Sequence, residues 1–164
     1  MRVLGIDPGT SVTGWAVVEG EGGRVRRVAS GGLRLSSQSP LSMRLARIHE
    51  TVMALIAEHR PLAVSLEKAF VSKNPQSAFR IGEARGAILV AAAQSGLEVF
   101  EYAPAEVKQS LVGYGRADKE QIARGVALLF AIEPPSLSDE ADALAVAACH
   151  LAGLRLRRLM ERAR

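Results

Sequence analysis

The chain of 164 residues has a single cysteine, Cys149, and therefore cannot form an internal disulfide framework. So little cysteine is typical of proteins that work in a reducing compartment. No charged N-terminal region followed by an apolar core is present, and no apolar run approaches the length of a membrane span. These absences predict a cytoplasmic protein that does not contact a membrane.

Several motifs of common catalytic sites are also missing. The three histidines, His49, His59 and His150, are scattered and lack the spacing of a zinc site. The sequence contains no Ser-His-Asp or Cys-His arrangement and no glycine-rich Walker loop. The acidic residues are therefore the main candidates for chemistry.

The charge of the chain is concentrated at its C-terminus. The chain is long enough for one domain with a sizeable core, and its net charge is +4. The last ten residues, RLRRLMERAR, hold five arginines and one glutamate, so residues 1–154 sum to zero. We expect one neutral domain over residues 1–154 and a basic tail over residues 155–164, typical of nucleic-acid binding or of a solvated helix end.

Hydrophobic periodicity and turn signals predict five strands and five helices. The first three strands form an antiparallel meander, and helices and strands alternate after it. This order predicts an α/β protein with a mixed five-stranded sheet and helices on both faces. The predicted strands cover residues 2–7, 13–19, 25–35, 62–67 and 97–104, and the predicted helices cover residues 42–59, 75–94, 104–111, 118–131 and 138–159.

Two predicted strands end on a carboxylate, although charge is costly to bury. Asp7 ends the first apolar strand, before a Pro-Gly turn, and Glu67 ends the strand LAVSLE. Each has a structural explanation by itself, since Asp7 could bond the amides of the turn and Glu67 could be a surface acid.

The last predicted helix begins with two more acids, Asp139 and Asp142, which lie three residues apart on one helical face. The helix dipole alone could explain Asp139. The same face continues with the apolar Val146 and Cys149, so we expect it to run toward the core.

Four carboxylates at one end of a sheet would repel one another, and burying them unpaired is expensive. A divalent cation removes both problems. Oxygen ligands without nearby histidine or cysteine suit Mg²⁺ or Mn²⁺. The sequence therefore predicts metal-assisted phosphoryl chemistry.

Four longer segments follow one another along the chain: GIDPGTSVTGWAVVE, LEKAFVSKNPQSAFRIGEARGAILVAAAQSG, VFEYAPAEVKQSLVGYGRADKEQI and DEADALAVAACHLA. In order, they resemble the successive motifs of RuvC, the family of bacterial Holliday-junction resolvases, over residues 1–152. The resemblance implies a ribonuclease H-like fold and a homodimer that nicks two strands of a four-way DNA junction symmetrically, in recombination and repair. It also implies 5′-phosphate and 3′-hydroxyl products, and contact with the RuvA–RuvB branch-migration complex.

The resemblance assigns roles to individual residues. It makes the four carboxylates catalytic and the ligands of two Mg²⁺ ions about 3.5–4 Å apart, with Mn²⁺ as a substitute. Lys108 and Lys119, two of only four lysines in the chain, match lysines near the scissile strand. They are expected to bind phosphate and to offset transition-state charge. The carboxylates so assigned are Asp7, Glu67, Asp139 and Asp142.

Further DNA contacts are expected near the second motif. Phe70 matches a phenylalanine that stacks on a base, although it could instead anchor its loop in the core. Lys73 and Arg80 are candidates for phosphate contacts. Gly82 and Gly86 lie four residues apart on the helix that the family uses for its dimer interface, and the alternative for them is packing against the protein's own sheet.

Other functions are compatible with parts of the sequence. GIDPGT also resembles the phosphate-binding turn of actin-like and sugar-kinase ATPases, but those proteins need two such domains. A non-catalytic junction-binding relative, or a ribonuclease H-like nuclease for another branched or RNA-containing substrate, would share the fold. Binding of ATP, and cleavage of junctions against duplexes and RNA–DNA hybrids, distinguish these alternatives.

Overall fold

The computed structural model describes residues 1–21, 23–68 and 75–162. Within them, the order of strands and helices is the predicted one. The strands are β1 (Arg2–Asp7), β2 (Val12–Glu21), β3 (Arg24–Arg34), β4 (Ala63–Glu67) and β5 (Glu98–Tyr102). The helices are α1 (Leu41–His59), α2 (Pro75–Gln94), α3 (Pro104–Val112), α4 (Lys119–Phe130) and α5 (Ser138–Arg162).

The five strands form one mixed sheet in the order β3-β2-β1-β4-β5. β1, β2 and β3 pair in antiparallel fashion, whereas β4 pairs parallel with both β1 and β5. The predicted meander followed by parallel strands is thus confirmed. β1 and β4 lie in the middle of the sheet and are buried along almost their whole length, as expected for strands covered on both faces.

Helices cover the two faces of the sheet, as predicted, and alternating residues of β1 contribute to both cores. Leu4 and Ile6 belong to the core that α1 and α2 cover. Val3 belongs to the core that α3, α4 and α5 cover. Val146 and Cys149 of α5 are buried in this second core, which confirms that the acidic face of the helix continues into the protein.

Two glycines allow α5 to lie directly on the sheet. A methyl group at Gly5 of β1 would overlap the carbonyl oxygen of Ala143. A methyl group at Gly14 of β2 would overlap the carbonyl oxygen of Asp139. Since Gly14 is the strand partner of Asp7, this close approach places the first turn of α5 beside the end of β1.

The predicted boundaries differ from the observed ones mainly where the residues are polar. β2 continues beyond the predicted end at residue 19, because Gly20 and Glu21 pair with β3 although neither is apolar. α5 continues through Arg162. None of the helices in the described part of the chain combines the length and apolarity needed to span a membrane.

Adding a methyl group at Gly5 should destabilise the protein. Gly5→Ala places a methyl group against the backbone of α5, so the free energy of unfolding should fall by about 1–3 kcal/mol. Gly153→Ala is the matched control, because its methyl group meets nothing within 4 Å. The control should gain about 0.5–1 kcal/mol from helix propensity. Urea unfolding measures both changes, and equal effects would contradict the close approach.

Candidate active site

Asp7 and Glu67 lie next to each other at one edge of the sheet. Asp7 is the last residue of β1 and Glu67 is the last residue of β4. The two strands run parallel, with Ile6 paired to Leu66, so both strands deliver their carboxylates to the same edge.

The first turn of α5 brings Asp139 and Asp142 to the same edge. Asp139 and Glu140 occupy the first turn of the helix, and the backbone of Asp139 packs against Gly14 opposite Asp7. The charges of Asp139, Asp142 and Glu67 all act on Asp7. The structure thus brings together the four carboxylates that the sequence singled out: Asp7, Glu67, Asp139 and Asp142, hereafter the carboxylate cluster.

Burial and repulsion disfavour the ionised form of three acids in this cluster, Asp7, Glu67 and Asp142. Burial, followed by the charges of Asp142, Asp139 and Glu67, raises the pKa of Asp7 to about 8. Burial and the charge of Asp142 raise the pKa of Glu67. Burial also raises the pKa of Asp142, and the charge of Asp139 adds to the effect. A cation in the cluster would therefore be strongly favoured.

Lys108 and Lys119 both reach the carboxylate cluster electrostatically. The charge of Lys108, on α3, acts to lower the pKa of Glu67 and Asp142. The Nζ of Lys108 donates a hydrogen bond to the carbonyl oxygen of Ala117, at 2.7 Å. The charge of Lys119 likewise acts to lower the pKa of Asp142 and Asp7. The two lysines thus only partly compensate the negative charge.

The position of Lys119 follows from a helix cap. Asp118 precedes α4, and its carboxylate accepts a hydrogen bond from the backbone amide of Gln121, at 2.8 Å. The side chain of Gln121 in turn accepts from the amide of Asp118, at 2.9 Å. This capping box fixes the start of α4 and therefore the backbone from which Lys119 projects.

Of the three other predicted DNA contacts, the structure describes Arg80. Arg80 is exposed on α2. Phe70 and Lys73 lie outside the described residues.

The donor chemistry of the carboxylate cluster fits Mg²⁺. All four residues offer carboxylate oxygens, which Mg²⁺ prefers, and a divalent cation would offset the repulsion that raises the pKa of Asp7. In the described ranges, no three His, Cys, Asp or Glu side chains are grouped as they would be around a metal ion.

Two arginines that the sequence analysis did not single out hold the backbone around the cluster. Arg85 of α2 donates from Nη1 to the carbonyl oxygen of Glu67, at 2.7 Å. Arg44 of α1 donates from Nη1 to the carbonyl oxygen of Thr10, in the turn after β1, at 2.8 Å. The sequence carried no signal for these roles, because an arginine in an amphipathic helix is typical of a solvated face.

The buried thiol and the cavity beside it lie away from the carboxylate cluster. A cavity of about 740 Å³ opens next to Met1 and Cys149, at the start of β1 rather than at its end. Burial raises the pKa of Cys149 to about 11, so this thiol is protonated at neutral pH. A protonated thiol is a poor nucleophile, which leaves the carboxylates as the candidates for chemistry.

Known proteins share both the sequence and the fold. The model of the family "Crossover junction endodeoxyribonuclease RuvC" matches residues 3–150. A protein of that name from Magnetococcus marinus is 46% identical over 92% of this chain and 84% of the relative. Another, from Halorhodospira halophila, is 50% identical over 91% of this chain and 89% of the relative.

A solved structure agrees with this assignment. Thermus thermophilus RuvC in complex with a Holliday junction substrate superposes with a TM-score of 0.91 and 38% identity, over 96% of each chain. The fold is thus the ribonuclease H-like fold that the resemblance implied. On its sequence and its fold, the chain belongs to the RuvC family of crossover junction endodeoxyribonucleases.

Proposed function

We propose that this protein resolves Holliday junctions by nicking two strands symmetrically in a metal-dependent reaction, in recombination and repair. One observation carries the proposal: four acids from three separate segments converge at one edge of the sheet, where burial and repulsion raise the pKa of Asp7 to about 8. Membership of the RuvC family and the likeness to a relative in complex with a Holliday junction support the choice of substrate.

The carboxylate cluster would hold two Mg²⁺ ions, with Mn²⁺ as a substitute. When bound, such ions supply an activated water and stabilise the leaving 3′ oxygen. The protein contributes oxygen ligands on rigid elements, with Asp7 and Glu67 at strand ends and two aspartates in the first turn of a long helix. The expected products carry a 5′-phosphate and a 3′-hydroxyl.

Lys108 and Lys119 would bind the scissile phosphate and offset the charge that develops on it. Both act electrostatically on the carboxylate cluster from the side of α3 and α4. The hydrogen bond from Lys108 to Ala117 fixes its Nζ before DNA binds. Arg80, Phe70 and Lys73 are proposed as further DNA contacts, on the family resemblance alone.

The active form would be a homodimer joined through α2. Ala84 and Ile88 face the core, whereas Phe79 and Val90 are 74% and 51% exposed. Gly82 and Gly86 lie on the exposed side, and a methyl group at either would meet nothing within 4 Å, so they do not pack against the protein's own sheet. A two-fold axis along this face would give two identical sites, which two matched cuts require.

The remaining parts of the proposal rest on the family resemblance. The RuvA–RuvB complex would act on the same junction, and the protein would work in the cytoplasm. Mg²⁺-dependent cleavage of labelled four-way junctions, with duplex DNA and RNA–DNA hybrid as comparison substrates and with the ends mapped, tests the function directly. Symmetric cuts in the junction alone would support the proposal, whereas preferred cleavage of the hybrid would refute it.

Asp7→Asn should abolish cleavage and preserve junction binding. The substitution removes a charged metal ligand from the cluster while the surrounding DNA-binding surface remains. We expect the cleavage rate to fall by at least about 100-fold, with the dissociation constant for a four-way junction within about threefold of wild type. Glu58→Gln, which changes an exposed glutamate of α1, should leave both measurements unchanged. Substantial cleavage by Asp7→Asn would contradict its assignment.

The same substitution should stabilise the metal-free protein in a pH-dependent way. The folded state holds a proton on Asp7 up to a pKa of about 8, against an ordinary value of 3.8. The wild-type protein therefore loses stability as the pH rises from about 4 to about 8. In EDTA at pH 8, Asp7→Asn should exceed wild type by about 1–3 kcal/mol, and the two should be nearly equal at pH 4.

Urea unfolding at the two pH values measures this difference. Added Mg²⁺ should narrow it at pH 8, because ligand binding stabilises the wild-type fold. A difference that does not change with pH would contradict repulsion and burial as its cause.

A bulky, charged side chain on the exposed face of α2 should dissociate the dimer. Gly86→Arg fits the isolated chain, since its side chain starts in open space, but it prevents another helix from approaching closely. Sedimentation should give a dimer for wild type and a monomer for Gly86→Arg at the same micromolar concentration. Gly153→Arg adds the same charge at another helical glycine with open space around it and should remain dimeric. A dimeric Gly86→Arg protein would exclude this face as the interface.

A further inference from the structure

Arg85 connects the ends of two strands to helix α2. Its Nη1 donates to the carbonyl oxygen of Glu67, at 2.7 Å, and its Nη2 forms an ion pair with Glu101 of β5. The side chain of Arg85 is only 12% exposed. β4 and β5 are neighbouring parallel strands, in which Glu67 pairs with Tyr102. One guanidinium group thus links three elements of the fold.

The hydrogen bond from Arg85 to Glu67 lies where the pairing of β4 with its neighbouring strand β1 has ended. Pairing between β1 and β4 ends at Leu66, one residue before Glu67. On the other side, the amide of Lys68 donates to the carbonyl oxygen of Tyr102, at 2.8 Å. The backbone at Glu67 is therefore held by β5 on one side, and Arg85 supplies a direct side-chain bond to its carbonyl group.

Arg85 contacts the backbone of Glu67 and not its carboxylate. The charges that act on the Glu67 carboxyl group are those of Asp142 and Lys108. A cation that serves as a counter-charge would contact the carboxylate oxygens, whereas Arg85 uses its second arm for Glu101. A side chain with this geometry orients a metal ligand through the backbone of that ligand and does not neutralise its charge.

We propose that Arg85 is a positioning residue that fixes the backbone at Glu67 and thereby sets the place of its carboxylate in the metal-binding cluster. The proposal rests on the proposed function, since it assumes that Glu67 ligates a metal ion. Supporting partners of this kind typically change metal affinity or activity by about 10–100-fold when they are lost. The effect should appear in metal binding before any DNA is present.

The two contacts of Arg85 require a guanidinium group. Its planar fork presents several N–H donors in fixed directions and can serve the Glu67 carbonyl and the Glu101 carboxylate together. A lysine has one ammonium group on a flexible chain and cannot span both acceptors in the same way. Arg85→Lys therefore keeps the charge and loses the geometry.

The decisive measurement is Mn²⁺ binding to the DNA-free protein, followed by the EPR signal of free Mn²⁺. We expect Arg85→Gln to weaken Mn²⁺ binding by about tenfold and Arg85→Lys to weaken it by a smaller factor. Glu101→Gln keeps the bond from Arg85 to Glu67, so its Mn²⁺ affinity should stay within about threefold of wild type. Arg47→Gln changes an exposed arginine that pairs with Glu50 and should bind Mn²⁺ like wild type.

Junction cleavage against Mg²⁺ concentration gives a second measurement. Arg85→Gln should need about tenfold more Mg²⁺ for half-maximal rate, with most of the rate recovered at saturation. A purely structural role would instead lower the unfolding temperature and leave the Mn²⁺ affinity of the folded protein unchanged, which would overturn the proposal. Equal losses of Mn²⁺ affinity in Arg85→Gln and Glu101→Gln would also overturn it, because the ion pair would then be the cause.

The outcomes separate this inference from the proposed function. If wild type binds Mn²⁺ and cleaves junctions but the Arg85 variants bind Mn²⁺ normally, only the positioning role is wrong. If wild type neither binds Mn²⁺ nor cleaves, the proposed function is wrong and the positioning role falls with it. Should Arg85→Gln fail to fold, weaker Mn²⁺ binding by Arg85→Lys than by Glu101→Gln would support the proposal, and the reverse order would refute it.

Discussion

Repulsion between partly buried carboxylates is the constraint on which the rest of this structure depends. Burial and neighbouring negative charges hold the pKa of Asp7 near 8, and the pKa values of Glu67 and Asp142 are raised in the same way. Such a cluster opposes folding, so the free energy that maintains it must come from the two apolar cores on either side of the sheet. Sites that destabilise the fold are typical where function requires the charge.

The two layers of helices support the carboxylate cluster in different ways. On one face, α5 approaches the sheet closely at Gly5 and Gly14 and contributes acids from its first turn. On the other face, α1 and α2 contribute arginines that bind main-chain carbonyl groups, Arg44 beside the end of β1 and Arg85 at the end of β4. The acids of α5 and the arginines that support the backbone thus come from opposite faces of the sheet. The lysines of α3 and α4 add positive charge beside the acids.

α2 combines two tasks that a symmetric nuclease would need. Its buried side holds Ala84 and Ile88 in the core, and Arg85 reaches from it to Glu67. Its exposed side presents Phe79, Val90 and two glycines without neighbours. A dimer formed along this side would fix both active sites relative to each other through one rigid helix, as a substrate with two equivalent cleavage points requires.

The sequence by itself determined the elements, the mixed character of the sheet and the choice of the four acids as candidates. Apolar periodicity is a local property, and a carboxylate that ends an apolar strand is visible without coordinates. The role of Gly14 could not be predicted, because it depends on Asp139 of α5, which is distant in the sequence. The role of Arg85 could not be predicted either, because it depends on how α2 packs against β4 and β5. Only the tertiary structure decided how closely α5 approaches β1, and therefore how strongly the carboxylates repel, because this distance is set by packing across the sheet and not by any local pattern.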